Sequence, residues 1–327
     1  MKTGRITREA PTEKAIRLGI SSCLLGEEVR FDGGHKHDAL LTETFGQFFE
    51  WVPVCPEMEI GLGAPRESLR LEGHAGSGRL VAPRSGSDHT DAMQRWARQR
   101  LEELVKLDLH GYVLKKDSPS CGMERVRIYG ESGVAQRNGT GLFAAALLAR
   151  FPLLPVEEEG RLHDMPIREN FIERVFAYAR WRAFLVAGPR AGDLVAFHTR
   201  HKLTLMAHDD KTYRQMGRLV ARAGAGNVRE ALTQYGTLLM QALKVHATAR
   251  KHANVLFHLM GYLKKYLDAG DKAELAGQIE SYRKRLVPLI VPITLLLHHF
   301  RRYPVDWVME QTYLSPYPAE LMLRNHV

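Results

Sequence analysis

The chain has 327 residues, 45% of them hydrophobic and 25% charged, with a formal net charge of +9. That is long enough for two domains, and the composition is that of an ordinary soluble globular protein. No apolar run approaches the ~20 residues a bilayer crossing needs, and the polar start Met1-Lys-Thr-Gly-Arg is not a signal peptide, so a cytoplasmic protein with no membrane partner is expected.

In chain order, strand patterns at residues 17–21 and 50–54 flank a helical pattern at 39–48. A glycine-rich stretch, 69–83, suits a hairpin of 68–71 with 79–82. A long helix is expected over 88–107, with Asp88 as its N-cap and Met93, Trp96, Ala97, Leu101, Leu104 and Leu107 at helical spacing. Strands at 111–114 and 125–129 and a helix at 140–150 follow. This alternation predicts an α/β domain with a parallel, Rossmann-like sheet covered by helices on both faces.

Residues 151–160, with two prolines, three glutamates and a glycine, read as a boundary between domains 1–155 and 156–327. The second is expected to be all-α, with helices at 167–187, 191–206, 211–223, 229–243, 248–267, 272–287 and 292–303. The longest apolar run, 286–297, contains Pro288 and Pro292 and predicts a buried, kinked helix. Charge divides unevenly: residues 1–155 carry 21 basic and 20 acidic side chains, a balance of +1, whereas 156–327 carry 25 and 17, a balance of +8. Ten of the fifteen histidines lie in the second part.

Three cysteines, Cys23, Cys55 and Cys121, are an odd number for a disulfide framework. Each follows an apolar run and sits among polar and special residues. If those runs are parallel strands, the thiols gather at the carboxyl edge of one sheet, where α/β proteins bind ligands. A shared metal centre with one open position, unrelated core thiols and a redox-sensing thiol are the readings this placement allows. Three thiolates suit zinc or an iron–sulfur cluster with one iron not held by the protein.

Three blocks make a resemblance specific. Cys23-Leu-Leu-Gly with Arg30-Phe-Asp-Gly-Gly-His-Lys36 is the first, Val54-Cys-Pro-Glu-Met-Glu-Ile-Gly-Leu-Gly-Ala-Pro-Arg66 the second, and Leu114-Lys-Lys-Asp-Ser-Pro-Ser-Cys-Gly122 the third. Together, over roughly residues 14–155, they resemble the thiouracil desulfidase family. The resemblance implies a [4Fe-4S] cluster held by Cys23, Cys55 and Cys121, whose free iron captures the sulfur of a thiolated pyrimidine base or nucleotide. It implies Glu57 as the acid/base residue that activates water and Ser118 as a polar partner of the substrate. Ser22, Lys36, Arg66, Lys116, Asp117 and Ser120 complete the expected substrate contacts.

The helical part is similar to a domain of uncharacterised function found fused to desulfidase domains, through Phe197-His-Thr-Arg-His-Lys-Leu-Thr-Leu-Met-Ala-His208. His198, His201 and His208 there are open to three readings: a metal site, a helix surface or interface, or a substrate phosphate or RNA contact. Basic side chains such as Lys244, Arg250, Lys251, Lys264 and Lys265 suit an RNA partner or a solvated face. The alternative to a desulfidase is a metal- or redox-sensing protein whose basic helical domain contacts nucleic acid.

Overall fold

The computed structural model describes residues 16–327; the polar N-terminal start read above lies outside them. Two compact units divide after Gly160.

The first unit runs β1 (Ile16–Ser21), β2 (Phe49–Val54), α1 (Pro56–Glu59), β3 (Arg70–Glu72), β4 (Arg79–Val81), α2 (Thr90–Lys106), β5 (Gly111–Leu114), β6 (Val126–Tyr129), β7 (Ala135–Gly139), α3 (Leu142–Arg150) and β8 (Val156–Glu158). Four of these strands form a parallel sheet in the order β2-β1-β5-β8. Parallel strands buried on both faces need continuous apolar side chains. Leu18 and Ile20 of β1 and all of β5 supply them. Helix α2 buries Met93, Ala97, Leu101 and Leu104, the stripe read from the sequence. His89, not Asp88, is its N-cap residue, although Asp88 still accepts the Thr90 amide at 2.9 Å.

Gly19 is needed where β1 passes β5. A Cβ there would lie 2.2 Å from Cδ2 and Cε2 of Tyr112, whose ring is fully buried. Overpacking of this kind typically costs 1–3 kcal/mol. Gly19→Ala is therefore expected to destabilise the first unit by about 3 kcal/mol, read as a lower urea midpoint. Gly130→Ala, in the same unit and meeting nothing within 4 Å, is the control and should change stability by less than about 0.5 kcal/mol. Equal midpoints for the two variants would contradict this packing.

Three expectations change in this unit. Strand β6 does not join the parallel sheet; it lies in a second sheet ordered β4-β3-β6-β7, with β3 parallel to β6 and the outer pairs antiparallel. Its burial alternates, with Val126 and Ile128 inward and Arg127 outward, the pattern of a strand with one solvated face. The acidic segment read as a linker contains strand β8, paired to β5. Residues 39–48 form a π-helical turn, Leu40–Thr44, and a 3-10 turn, Phe45–Gln47, instead of an α-helix.

The second unit is helical: α4 (Met165–Val186), α5 (Ala191–His208), α6 (Asp210–Arg222), α7 (Val228–Lys244), α8 (Ala249–Tyr262), α9 (Ala269–Arg283), α10 (Ile290–Arg302) and the short α11 (Asp306–Met309). Side-chain caps start five of them: Asp164, Asp209, Asn227, Thr248 and Asp268 each accept first-turn amides. The expected kink is absent. Helix α10 begins at Ile290, so Pro288 lies outside it and Pro292 falls in its first turn, where an amide has no intrahelical acceptor to lose.

Among the described residues the three histidines singled out in this unit do not gather on a metal; His201 and His208 are buried and His198 is half-buried, which suits the helix-interface reading. His201 is buried, stacks on Phe197 with centroids 4.0 Å apart and hydrogen-bonds the Phe197 carbonyl. Burial lowers its pKa to about 3. His198 meets the Tyr235 hydroxyl at 3.2 Å. His208 pairs with buried Glu173 at 3.0 Å. Burial opposes its charged form, but the Glu173 charge and hydrogen bond outweigh that and raise its pKa.

Candidate active site

The order of the parallel sheet reverses direction in the sequence between β1 and β5, and a crevice opens at the carboxyl ends of strands on either side of such a switch. Cys23 stands in the 3-10 turn Ser22–Leu25 that leaves β1, closed by Gly26 at a φ of 95°. Its carbonyl accepts the Lys36 amide at 2.8 Å, which folds residues 26–36 back over the strand end. Cys55 leaves β2 as the N-cap residue of α1, and its amide is held by Glu59 Oε1 at 3.3 Å. Cys121 lies after β5 in a turn built by Ser118, whose Oγ accepts the amides of Ser120 and Cys121 at 3.2 and 3.1 Å. Gly122 is required there, because a Cβ would meet Val126 at 2.4 Å and the Ser118 carbonyl at 2.8 Å.

All three thiols line one cavity of about 330 Å³, together with Ser21, Ser22, Phe31, Lys36, Glu57, Arg66, Lys116, Asp117 and Ser118. Burial pushes the Cys23 thiol up to about 11, against the pull of Lys115, and raises Cys55 and Cys121 as well. The Ser21 hydroxyl bonds to Cys121 and works against that rise. Such thiols hold little thiolate for redox chemistry; a bound metal removes their protons outright. Among the described residues no three His, Cys, Asp or Glu side chains meet closely enough to hold a single metal ion. The three cysteines share the lining of one cavity. That soft donor set is one an iron–sulfur cluster would take.

Glu57 enters the same cavity from the first turn after Cys55, and both its oxygens are held. Oε2 accepts from Arg66 Nη2 at 2.6 Å and Nε at 3.0 Å, and Oε1 accepts from Ser120 Oγ at 2.9 Å. Arg66 is itself fixed by the carbonyls of Val29, at 3.0 Å, and Gly63, at 2.6 Å. These bonds define the rotamer and tilt of the carboxylate in a nearly buried pair.

The residues expected from the sequence separate into groups. Ser22, Glu57 and Ser118 line the cavity with the cysteines. Lys36 and Lys116 are exposed members of its lining. Asp117, at a φ of 58°, also lines it while pairing with Arg137 at 3.1 Å. Arg66 lines it too, but spends its guanidinium on Glu57 and backbone carbonyls. Ser120 is fully buried behind Glu57 and is not part of the lining, so its expected place as a substrate contact becomes a place behind the carboxylate.

Sequence reasoning missed two features. Glu158 and Glu159 of the acidic triplet hold the Cys121 loop: Glu158 Oε1 accepts the Met123 amide at 2.8 Å, and Glu159 takes the Lys116 amide at 2.7 Å and the Lys115 ammonium at 2.5 Å. Phe31 adds an apolar ring, 41% exposed, to the lining. Its only sequence signal was its place inside the first cysteine block.

The first unit thus presents a parallel α/β sheet with three thiols and a doubly anchored carboxylate in one crevice. The chain belongs to the 2-thiouracil desulfurase family, whose model matches residues 18–159. Residues 202–318 match a second family, described as a protein of unknown function, DUF1722. The uncharacterized protein YbgA of Escherichia coli (strain K12) is 32% identical over 158 residues, 48% of this chain and 94% of the relative. The uncharacterized protein YbbK of Bacillus subtilis (strain 168) is 30% identical over 133 residues, 39% of this chain and 87% of the relative. Among solved structures, the [4Fe-4S]-dependent thiouracil desulfidase TudS is similar at 32% identity and a TM-score of 0.38, over 46% of this chain and 94% of that one.

Proposed function

We propose that the protein removes sulfur from thiolated uracil without redox change: the thiocarbonyl and water give the carbonyl and hydrogen sulfide. The observation that carries this reading is that Glu57 and all three thiols face one cavity, in a chain of the desulfurase family. Cys23, Cys55 and Cys121 are the residues that would hold a [4Fe-4S] cluster. Bound there, such a cluster supplies a Lewis acid for the substrate's sulfur.

The chain's own residues do the rest. Glu57 accepts a proton from water through the lone pairs that Arg66 and Ser120 leave free. Arg66 and Ser120 keep it from turning away. Ser118, whose oxygen already accepts two amides, has its hydroxyl hydrogen left to donate to a ring carbonyl or nitrogen. Ser22 and Asp117 complete the polar wall, and Phe31 offers a flat face to a pyrimidine.

Lys36 and Lys116, together with the +8 balance of residues 156–327, favour a phosphorylated or RNA-borne thiouracil over the free base. The electrostatic part of that preference is screened by salt. Protein loaded with iron and sulfide under anaerobic conditions is therefore expected to release sulfide and the oxo product from 2- or 4-thiouracil or their nucleotides. Its kcat/KM ratio of thionucleotide to thiobase should fall as salt rises. Cluster-loaded protein that yields no sulfide from any of these substrates would end the proposal; a salt-independent ratio would remove only the phosphate part.

A further inference from the structure

Lys115 lines the cysteine cavity and has no part in the desulfuration described above. Four other cationic side chains share that lining: Arg30, Lys36, Arg66 and Lys116. Arg66 is spent on Glu57, which lines the cavity beside it, and Arg30 pairs with Asp32 at 3.3 Å. Lys36 and Lys116 are exposed. Lys115 differs from them. Its side chain is 14% exposed and is held at 2.5 Å by Glu159, 9% exposed, and Glu159 is not part of the lining. The pair is therefore oriented, with its cation in the cavity wall and its carboxylate behind.

Backbone bonds fix that orientation. The Lys115 amide donates to Ser21 Oγ at 3.0 Å, the Lys116 amide to Glu159 Oε2 at 2.7 Å, and the Glu159 amide to the Leu114 carbonyl at 3.1 Å. The Lys115 ammonium gives one N–H to Glu159 Oε1 and one to the Lys116 carbonyl at 3.1 Å. An ammonium has three, so one is left for an acceptor in the cavity it lines. Desolvation of a buried ion pair takes back much of its attraction, so stability alone is a weak reason for this one. Its effect on the thiols is direct. Burial raises the Cys23 pKa, and Lys115 is the strongest influence the other way, ahead of Arg30.

We propose that Lys115 is a positioning residue for the metal centre: its ammonium, fixed by Glu159, offsets the negative charge that three thiolates bring into the cavity and makes the cluster harder to oxidise. The inference rests on the reading that Cys23, Cys55 and Cys121 hold a [4Fe-4S] cluster. Net charge and hydrogen bonds to sulfur set the potential of such a cluster. A cation at the wall favours gain of an electron and disfavours its loss, which suits a centre used as a Lewis acid at one oxidation level.

The test is the midpoint potential for reduction of the full chain, loaded anaerobically and followed by its visible absorption. Lys115→Gln should shift the midpoint to more negative values. Glu159→Gln, whose carbonyl oxygen can still accept the Lys116 amide, should shift it to more positive values, and by less, because Glu159 stands behind the wall. The double variant should return toward the parent, and Lys115→Arg should stay near it. An unshifted Lys115→Gln overturns the proposal. So do single variants that shift the same way, since altered packing or solvent access would do that and a charge effect would not. If Lys115→Gln takes up no iron, Lys115→Arg decides: loading by the arginine variant alone supports the charge, and loading by neither overturns it. A parent chain that binds no iron and sulfide would instead end the cluster reading, and this inference with it.

Discussion

Cys121→Ser is expected to abolish stable iron–sulfur loading, and Cys23→Ser and Cys55→Ser are expected to do the same. A hydroxyl is a hard, weakly acidic ligand and a poor replacement for a thiolate on iron. The substitution is isosteric in shape, so the fold should survive. At position 121 the turn depends on the Ser118 hydroxyl and on Gly122, neither of which is touched. At position 55 the amide still bonds Glu59. The measurement is iron and acid-labile sulfide per chain after anaerobic loading, with circular dichroism to confirm folding. Ser22→Ala, in the same lining, should keep its iron. A folded serine variant with full iron and sulfide would remove that cysteine from the ligand set.

How much of this was legible before the structure depends on how local each signal was. The strands that carry the cysteines are short apolar runs, and β5 matches its expected bounds at 111–114. The helices of the second unit are legible from their 3.6-residue periodicity, and side chains such as Asp209 and Asp268 cap them. Strand β7, Ala-Gln-Arg-Asn-Gly, has no apolar alternation because it is an edge strand whose first four residues are all exposed, on both faces. Strand β8 reads as a linker because its glutamates are buried for their hydrogen bonds, which hydrophobicity cannot report. The same limit hid the contact of Glu57 with Ser120, 63 residues away. Ser118 and Ser120 flank one proline and look alike in the sequence. Only the direction of the turn decides that one lines the cavity and the other backs the carboxylate.

Glu57→Gln is expected to leave iron content and thiouracil binding near the parent values while lowering kcat by about 10³, within the 10²–10⁴ range of general base catalysis. The amide fits the site. Its carbonyl oxygen can face Arg66, and its NH₂ can donate to the Ser120 oxygen, which accepts as well as donates. The Ser120 hydroxyl loses its acceptor and Arg66 its counter-charge, so circular dichroism and iron content must match the parent before a fall in rate is read as lost proton acceptance. Ser120→Ala is the companion. It removes the hydrogen bond to Oε1 and leaves the carboxylate free to rotate about its bond to Arg66. Ser120 acts through Glu57 and touches no substrate, so kcat should fall by about tenfold with KM unchanged, and the Glu57→Gln, Ser120→Ala double variant should be no slower than Glu57→Gln alone. Glu57→Gln turning over at close to the parent rate would show that water is activated elsewhere. Additive losses in the double variant would show that Ser120 has a role of its own.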